Sequence, residues 1–152
     1  MKRGFALLAI MLLIAGCAGV RTTAPITVCD QFAGPSLIEK YIPDLRSANT
    51  LIKLSIYEIS KLKEVQKKDI VKVLDEIDAM TASATTYNQL FVYIAGKVKY
   101  IRENMGAEIM IIGDDLLLFK DIATPISPRD ICYIKYQIAE DRAKVLPWIP
   151  AK

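Results

Sequence analysis

The chain has 152 residues, 53% of them hydrophobic and 24% charged, with 20 Lys and Arg against 17 Asp and Glu for a net charge of +3. It contains no histidine, which removes Ser-His-Asp and Cys-His nucleophilic machinery, the commonest general base and most zinc sites. So small a positive balance is not the electrostatic footprint of a nucleic-acid binder.

Met1 to Cys17 differ from everything after them. Lys2 and Arg3 precede an uninterrupted apolar run, Gly4 to Gly16, that ends at a cysteine. A charged start, a short apolar middle and small residues at the end make up an export leader. The run falls short of the roughly 20 residues that a membrane-spanning helix needs. Ile14-Ala15-Gly16-Cys17 resembles the lipobox of bacterial lipoproteins: a branched aliphatic residue, two small ones and the cysteine to be acylated. The resemblance covers the leader alone. It implies cleavage after residue 16, a diacylglycerol on the Cys17 thiol, and a body facing the periplasm. Ala18, standing where such lipoproteins carry Asp when kept in the inner membrane, favours the outer membrane in a host that has two. The other reading is an ordinary cleaved leader followed by an unrelated cysteine.

Removing residues 1–16 takes two cations and no acid, leaving 18 against 17, or +1. With Cys17 acylated, Cys29 and Cys132 remain, an even number in a compartment that permits disulfides. They are expected to pair, closing a loop of about 100 residues; the other reading is two buried thiols.

Residues 17–28 lack a helical apolar stripe, contain Pro25, and read as a tether between lipid and domain. From Ser36 a short helical turn runs to Ile42 and stops at Pro43. Leu45, Ala48, Ile52, Ile56, Ile59 and Leu62 recur at steps of three and four, predicting a first long helix from about Asp44 to Leu62. A break near Lys63 to Gln66 separates it from a second helix with the stripe Ile70, Val73, Leu74, Ile77, Met80, and the two are expected to form an antiparallel helical hairpin. Ser83 stands where it would cap a third helix. That helix carries Tyr87, Leu90, Phe91, Ile94, Val98, Ile101 and Met105, with Gly96 inside it and Gly106 as its stop.

Residues 107–122 are ambiguous. Ile109-Met110-Ile111-Ile112 and Leu116-Leu117-Leu118-Phe119 flank Gly113-Asp114-Asp115. They form either two helical pieces, the choice an otherwise helical chain favours, or two strands joined by a turn. Ser127-Pro128-Arg129-Asp130 then opens a last helix, with a hydroxyl cap, proline at its first position and an acid at its third. Ile131, Ile134, Ile138 and Val145 mark its buried side, and it ends before Pro147.

Catalytic motifs are wanting. Asp114-Asp115 reads as a turn or cap, Asp75 with Asp78 and Glu140-Asp141 as solvated faces, and Lys61, Lys63, Lys67, Lys68 and Lys72 as a solubilising tip. The tyrosines read as core edges. No cofactor or metal site is assigned. The fold class is therefore all-α: a small bundle of about four helices including a helical hairpin, over residues 29–152. The function read from this is a membrane-anchored lipoprotein, a non-catalytic envelope accessory with a protein partner and no nucleic acid. A carrier of a small apolar ligand or lipid is the alternative. Convergence of Asp, Lys and Tyr side chains in one cleft would favour an enzyme instead.

Overall fold

The computed structural model describes residues 26–42, 52–53, 55–105, 110–111 and 116–151. Three long helices dominate, and their positions follow from where the apolar stripes begin and end. Helix α4, Glu64–Ser83, buries Ile70, Val73, Leu74 and Ile77 on one face and runs without glycine or proline. Helix α5, Tyr87–Met105, buries Tyr87, Leu90, Phe91, Ile94, Ala95, Val98, Ile101 and Met105. Only Ala84 to Thr86 join the two, so α5 must double back on α4. The Gln66 side-chain amide accordingly donates to the Met105 carbonyl at 3.3 Å, joining the start of α4 to the end of α5. Helix α6, Pro128–Val145, buries Tyr133, Ile134 and Ile138 and packs chiefly on α4. Thus α4 sits centrally, with α5 and α6 both against it, and the all-α bundle is the observed architecture.

The shorter elements close its ends. They are α1, Ile26–Cys29; α2, Leu37–Tyr41; and α3, Ile56–Lys61. One turn of 3-10 helix, Leu117–Phe119, inserts Phe119 into the core. There its ring stacks on Phe91 at 4.2 Å and on Tyr87 at 5.7 Å, with Tyr41 edge-on at 6.0 Å. Burying one such ring is worth about 1.5–3 kcal/mol, so this cluster ties the 3-10 turn and α2 firmly to α5.

Five local expectations are corrected. Helix α1 places a helical turn at the end of the stretch read as tether. The helix foreseen over Asp44 to Leu62 is not continuous: Ile52–Lys53 are extended, and α3 starts only at Ile56. Ser55 stops it. Its hydroxyl accepts from the Glu58 N–H at 3.2 Å while the Glu58 carboxylate accepts from the Ser55 N–H at 2.7 Å, a reciprocal cap that favours a helix start at this point. Ile59 and Leu62 reach the core, but Ile56 is 60% exposed. Residues 43–51 lie outside the described residues.

The helical hairpin is therefore made by α4 and α5. Ser83 closes α4 rather than capping α5, its hydroxyl donating back to the Ala79 and Met80 carbonyls. The first N–H groups of α5 are satisfied from elsewhere: Tyr87 donates to the Thr124 carbonyl at 3.1 Å and Asn88 to that of Ile122 at 2.9 Å. The described residues of 107–122 are part extended and part helical, so neither expected form holds throughout them. Met110–Ile111 are extended but pair antiparallel with Ile52–Lys53, in the register Ile52 with Ile111 and Lys53 with Met110, while the Leu117 run turns as 3-10 helix. Residues 106–109 and 112–115, with Gly106 and the Asp114-Asp115 turn, fall outside the described residues.

Candidate functional site

Cys17 and the rest of the leader lie outside the described residues. What is described begins just after the tether, at a place where the chain is fastened three times to the first turns of α6. The first fastening is covalent. Cys29 and Cys132 form a disulfide across a sequence separation of 103, with Cα atoms 5.5 Å apart, so the free-thiol reading falls. Cys29 is 1% exposed.

The second is a buried carboxylate. Asp130 was read as a helix-start acid, and Ser127 does accept from its N–H at 3.2 Å as N-cap of α6. The Asp130 side chain does something further. Fully buried, it accepts from Ser36 Oγ at 2.5 Å, from the Leu37 and Ile38 N–H groups at 2.9 and 3.2 Å, and from Tyr87 Oη at 2.6 Å. One carboxylate from the start of α6 thus satisfies orphan N–H groups at the start of α2, where a negative charge also complements the helix end. Ser36 adds its own cap by accepting from the Glu39 N–H at 3.0 Å. The Tyr87 hydroxyl accepts in turn from the Ser127 N–H at 3.2 Å. Burial first, and then the bond to Asp130, push the Tyr87 phenol above its ordinary value. Gly34 makes the approach possible: its φ of +113° suits glycine, and an added Cβ would lie 3.4 Å from Ser127 Cβ.

The third is ionic. Arg129 Nη2 donates to Asp30 at 2.6 Å and to Glu39 at 3.4 Å, Arg129 Nε donates to Tyr133 Oη at 3.1 Å, and that hydroxyl donates to Asp30 at 2.6 Å. The Asp30 carboxylate, followed by Tyr133, raises the Arg129 guanidinium above its ordinary value. This end of the bundle is a clamp. Its groups are spent on one another.

The opposite feature is a groove of about 390 Å³ between α4 and α5. It brings Asp69, Lys72, Tyr93, Lys97 and Tyr100 together, a convergence of acid, lysine and tyrosine that bears on catalysis. Their electrostatics point the wrong way for it. Lys97 pairs with Glu76, which raises the ammonium and lowers the carboxyl, and Tyr100 Oη donates to Asp69 at 2.8 Å, which raises the phenol. Lys97, Glu76 and Tyr100 are thus held more firmly in the protonation states they have near pH 7, whereas acid–base work needs their pKa values drawn towards that pH. A second groove of about 340 Å³ lies on the other flank of α5, and Val92 and Gly96 line both. Gly96 is exposed, mid-helix, and nothing stands within 4 Å of the Cβ it lacks. It costs α5 about 1 kcal/mol relative to Ala without serving the packing described.

The remaining candidates dissolve into local pairs. Lys68 bonds Glu64, Lys61 lies over the Tyr57 ring, and Lys67 is 8% exposed with its ammonium over Trp148. Asp75 pairs with Arg142 on α6 rather than with Asp78, and Glu140 accepts from Tyr136 at 3.0 Å. Burial and that bond push the Tyr136 phenol up to about 12. Tyr87 and Tyr133 belong to the core itself, while Tyr41, Tyr57 and Tyr100 stand exposed. Among the described residues no cluster of three or more Cys, Asp or Glu is placed to hold a metal ion, and no helix is long and apolar enough to cross a membrane.

Comparison with protein-family models, with characterised proteins and with solved structures gives no match. The functional reading therefore rests on this chain's own residues.

Proposed function

We propose that the chain is a bacterial lipoprotein. Acyl chains on Cys17 hold it to the envelope, outer membrane in a two-membrane host, and its helical domain faces the periplasm and acts through protein contacts rather than catalysis. The observation that carries this reading is Ile14-Ala15-Gly16-Cys17 behind a basic start and a short apolar run. The bridge supports it: with Cys29 and Cys132 joined, Cys17 is the one cysteine outside the disulfide. A diacylglycerol supplies two chains, which is what stable anchoring takes, since a single chain holds only marginally. The clamp gives the anchor something to hold. From Cys17 to Cys29 is twelve residues, a reach of at most about 40 Å at roughly 3.3–3.6 Å each, and load arriving at Cys29 passes directly into α6. The wrong-way electrostatics of the α4–α5 groove support a non-catalytic role. The two grooves that flank α5 are open to solvent, so the carrier alternative draws no support from them.

Growth of expressing cells with radiolabelled palmitate tests the proposal. Label is expected in the native chain and absent from a Cys17→Ser form, which should also leave the sedimenting envelope fraction. An unlabelled native chain, or a Cys17→Ser form that sediments as completely as the native one, would end the reading.

A further inference from the structure

The groove between α4 and α5 is walled by two matched rows of side chains. Asp69, Lys72 and Glu76 follow one another at steps of three and four on α4, and Tyr93, Lys97 and Tyr100 at steps of four and three on α5. Tyr93 and Tyr100 are two turns apart, about 10 Å along the helix. Gly96 lies between them with nothing within 4 Å of the Cβ it lacks, so the hollow stays unfilled at its middle. The four formal charges of the walls cancel. Each carboxylate commits one oxygen across the groove, Asp69 Oδ2 to Tyr100 Oη at 2.8 Å and Glu76 Oε2 to Lys97. The second oxygen of each has no hydrogen bond among the described residues, with Lys72 standing 4.0 Å from Glu76 Oε1. Asp69 thereby fixes Tyr100 by its hydroxyl while the residue remains 42% exposed.

We infer that this groove binds an uncharged glycan strand. A phosphate or other anion is drawn by a surplus of cations, and here the charges cancel. An apolar chain would have to strip water from four charged groups without replacing its hydrogen bonds. A peptide strand is taken up at a sheet edge or in an apolar groove, and the α4–α5 groove is neither. A pyranose meets both features of the walls. The C–H groups on its ring face lie against a tyrosine ring, as at Tyr100. The hydroxyls on its edge donate to the second oxygens of Asp69 and Glu76 and accept from Lys72, whose side chain is 73% exposed. Two turns of helix exceed the length of one sugar ring, so the fit is to consecutive sugars of an unbranched strand lying along the groove. Gly96 gains a purpose that the packing of α5 does not give it: any side chain there would stand between the two tyrosines. The site is independent of the acyl anchor and stands or falls without it.

The test titrates the full chain, extracted in mild detergent, with chitohexaose and with cellohexaose by calorimetry. Binding of one or both with a Kd of about 0.1–1 mM is expected. Preference for chitohexaose would show that the acetamido group is also read, and equal binding that hydroxyls and ring faces suffice. Gly96→Leu, which enters open space, and Tyr100→Ala, which removes an exposed ring, should each weaken binding at least tenfold while leaving the melting temperature within about 2 °C or raising it. Because groove and strand are both uncharged overall, the Kd should change less than about twofold between about 50 and about 300 mM salt. No binding of either sugar at about 10 mM, undiminished binding by Gly96→Leu, or tighter binding of sodium polyphosphate than of either sugar would each overturn the inference. Should Gly96→Leu fail to fold, the native titration and Tyr100→Ala decide the matter.

Discussion

The clamped end and the α4–α5 groove use the same side-chain chemistry to opposite effect. At the clamp, Asp130, Ser36, Tyr87 and Arg129 reach partners about 40 to 100 residues away, and the central carboxylate is fully buried. In the groove, Lys97–Glu76 and Tyr100–Asp69 join adjacent helices at a surface where Lys97 and Glu76 remain about one-third exposed. Buried polar groups matched one to one are costly to disturb, and exposed pairs are cheap to rearrange. The molecule thus has one end made to stay shut and one face available for contact.

Opening the covalent strap should have the largest effect. A loop of this length is worth about 4–5 kcal/mol in the chain-entropy account, so urea unfolding of the purified protein should shift to markedly lower midpoint on reduction. A shift of less than about 1 kcal/mol would mean that the other two straps suffice. Asp130→Asn comes next. It keeps the shape but replaces one acceptor oxygen by a donor among the hydroxyls and N–H groups of Ser36, Leu37, Ile38 and Tyr87, at a cost of about 3 kcal/mol. Tyr87→Phe, which removes the donor to Asp130 and the acceptor for the Ser127 N–H, should cost about 1–2 kcal/mol by the same denaturation measurement.

Alkali offers a smaller and sign-specific test. Tyr87 and Tyr136 hold their protons more tightly folded than unfolded, Tyr136 up to about 12. Their contribution is complete below the ordinary tyrosine value near 10 and is lost as pH rises from there through the folded values. Stability measured at pH 9 should exceed that at pH 11, and Tyr136→Phe should flatten the fall. Stability that rises over this interval would contradict the assignment. The smallest effect belongs to the groove. Glu76→Gln should change stability by less than about 1 kcal/mol, and the lowered Glu76 carboxyl means that this small share disappears as pH falls through the carboxylate range. A groove substitution as damaging as Asp130→Asn would erase the contrast between the two regions.

Much of this was legible in the chain. Apolar periodicity located α4, α5 and α6, and Ser127-Pro128 fixed the start of α6, because each is a signal contained within a few turns. Counting cysteines identified the bridge for a similar reason: excluding Cys17 leaves a single pair. The helix over Asp44 to Leu62 failed because periodicity was followed through Ser55-Ile56-Tyr57-Glu58, whose capping spacing was the better local guide. Met110–Ile111 found its partner at Ile52–Lys53, and Asp130 found Ser36 and the α2 N–H groups, more than fifty residues away in each case. No local pattern encodes such pairings, so Asp130 showed only its role as a helix-start acid.

The anchor is tested most directly by the mass of the mature protein's first peptide after extraction from envelopes. Residues 1–16 should be gone, and the peptide should start at Cys17 carrying a diacylglycerol on its sulfur. A first peptide that starts elsewhere, retains the leader, or starts at an unmodified Cys17 would contradict the account.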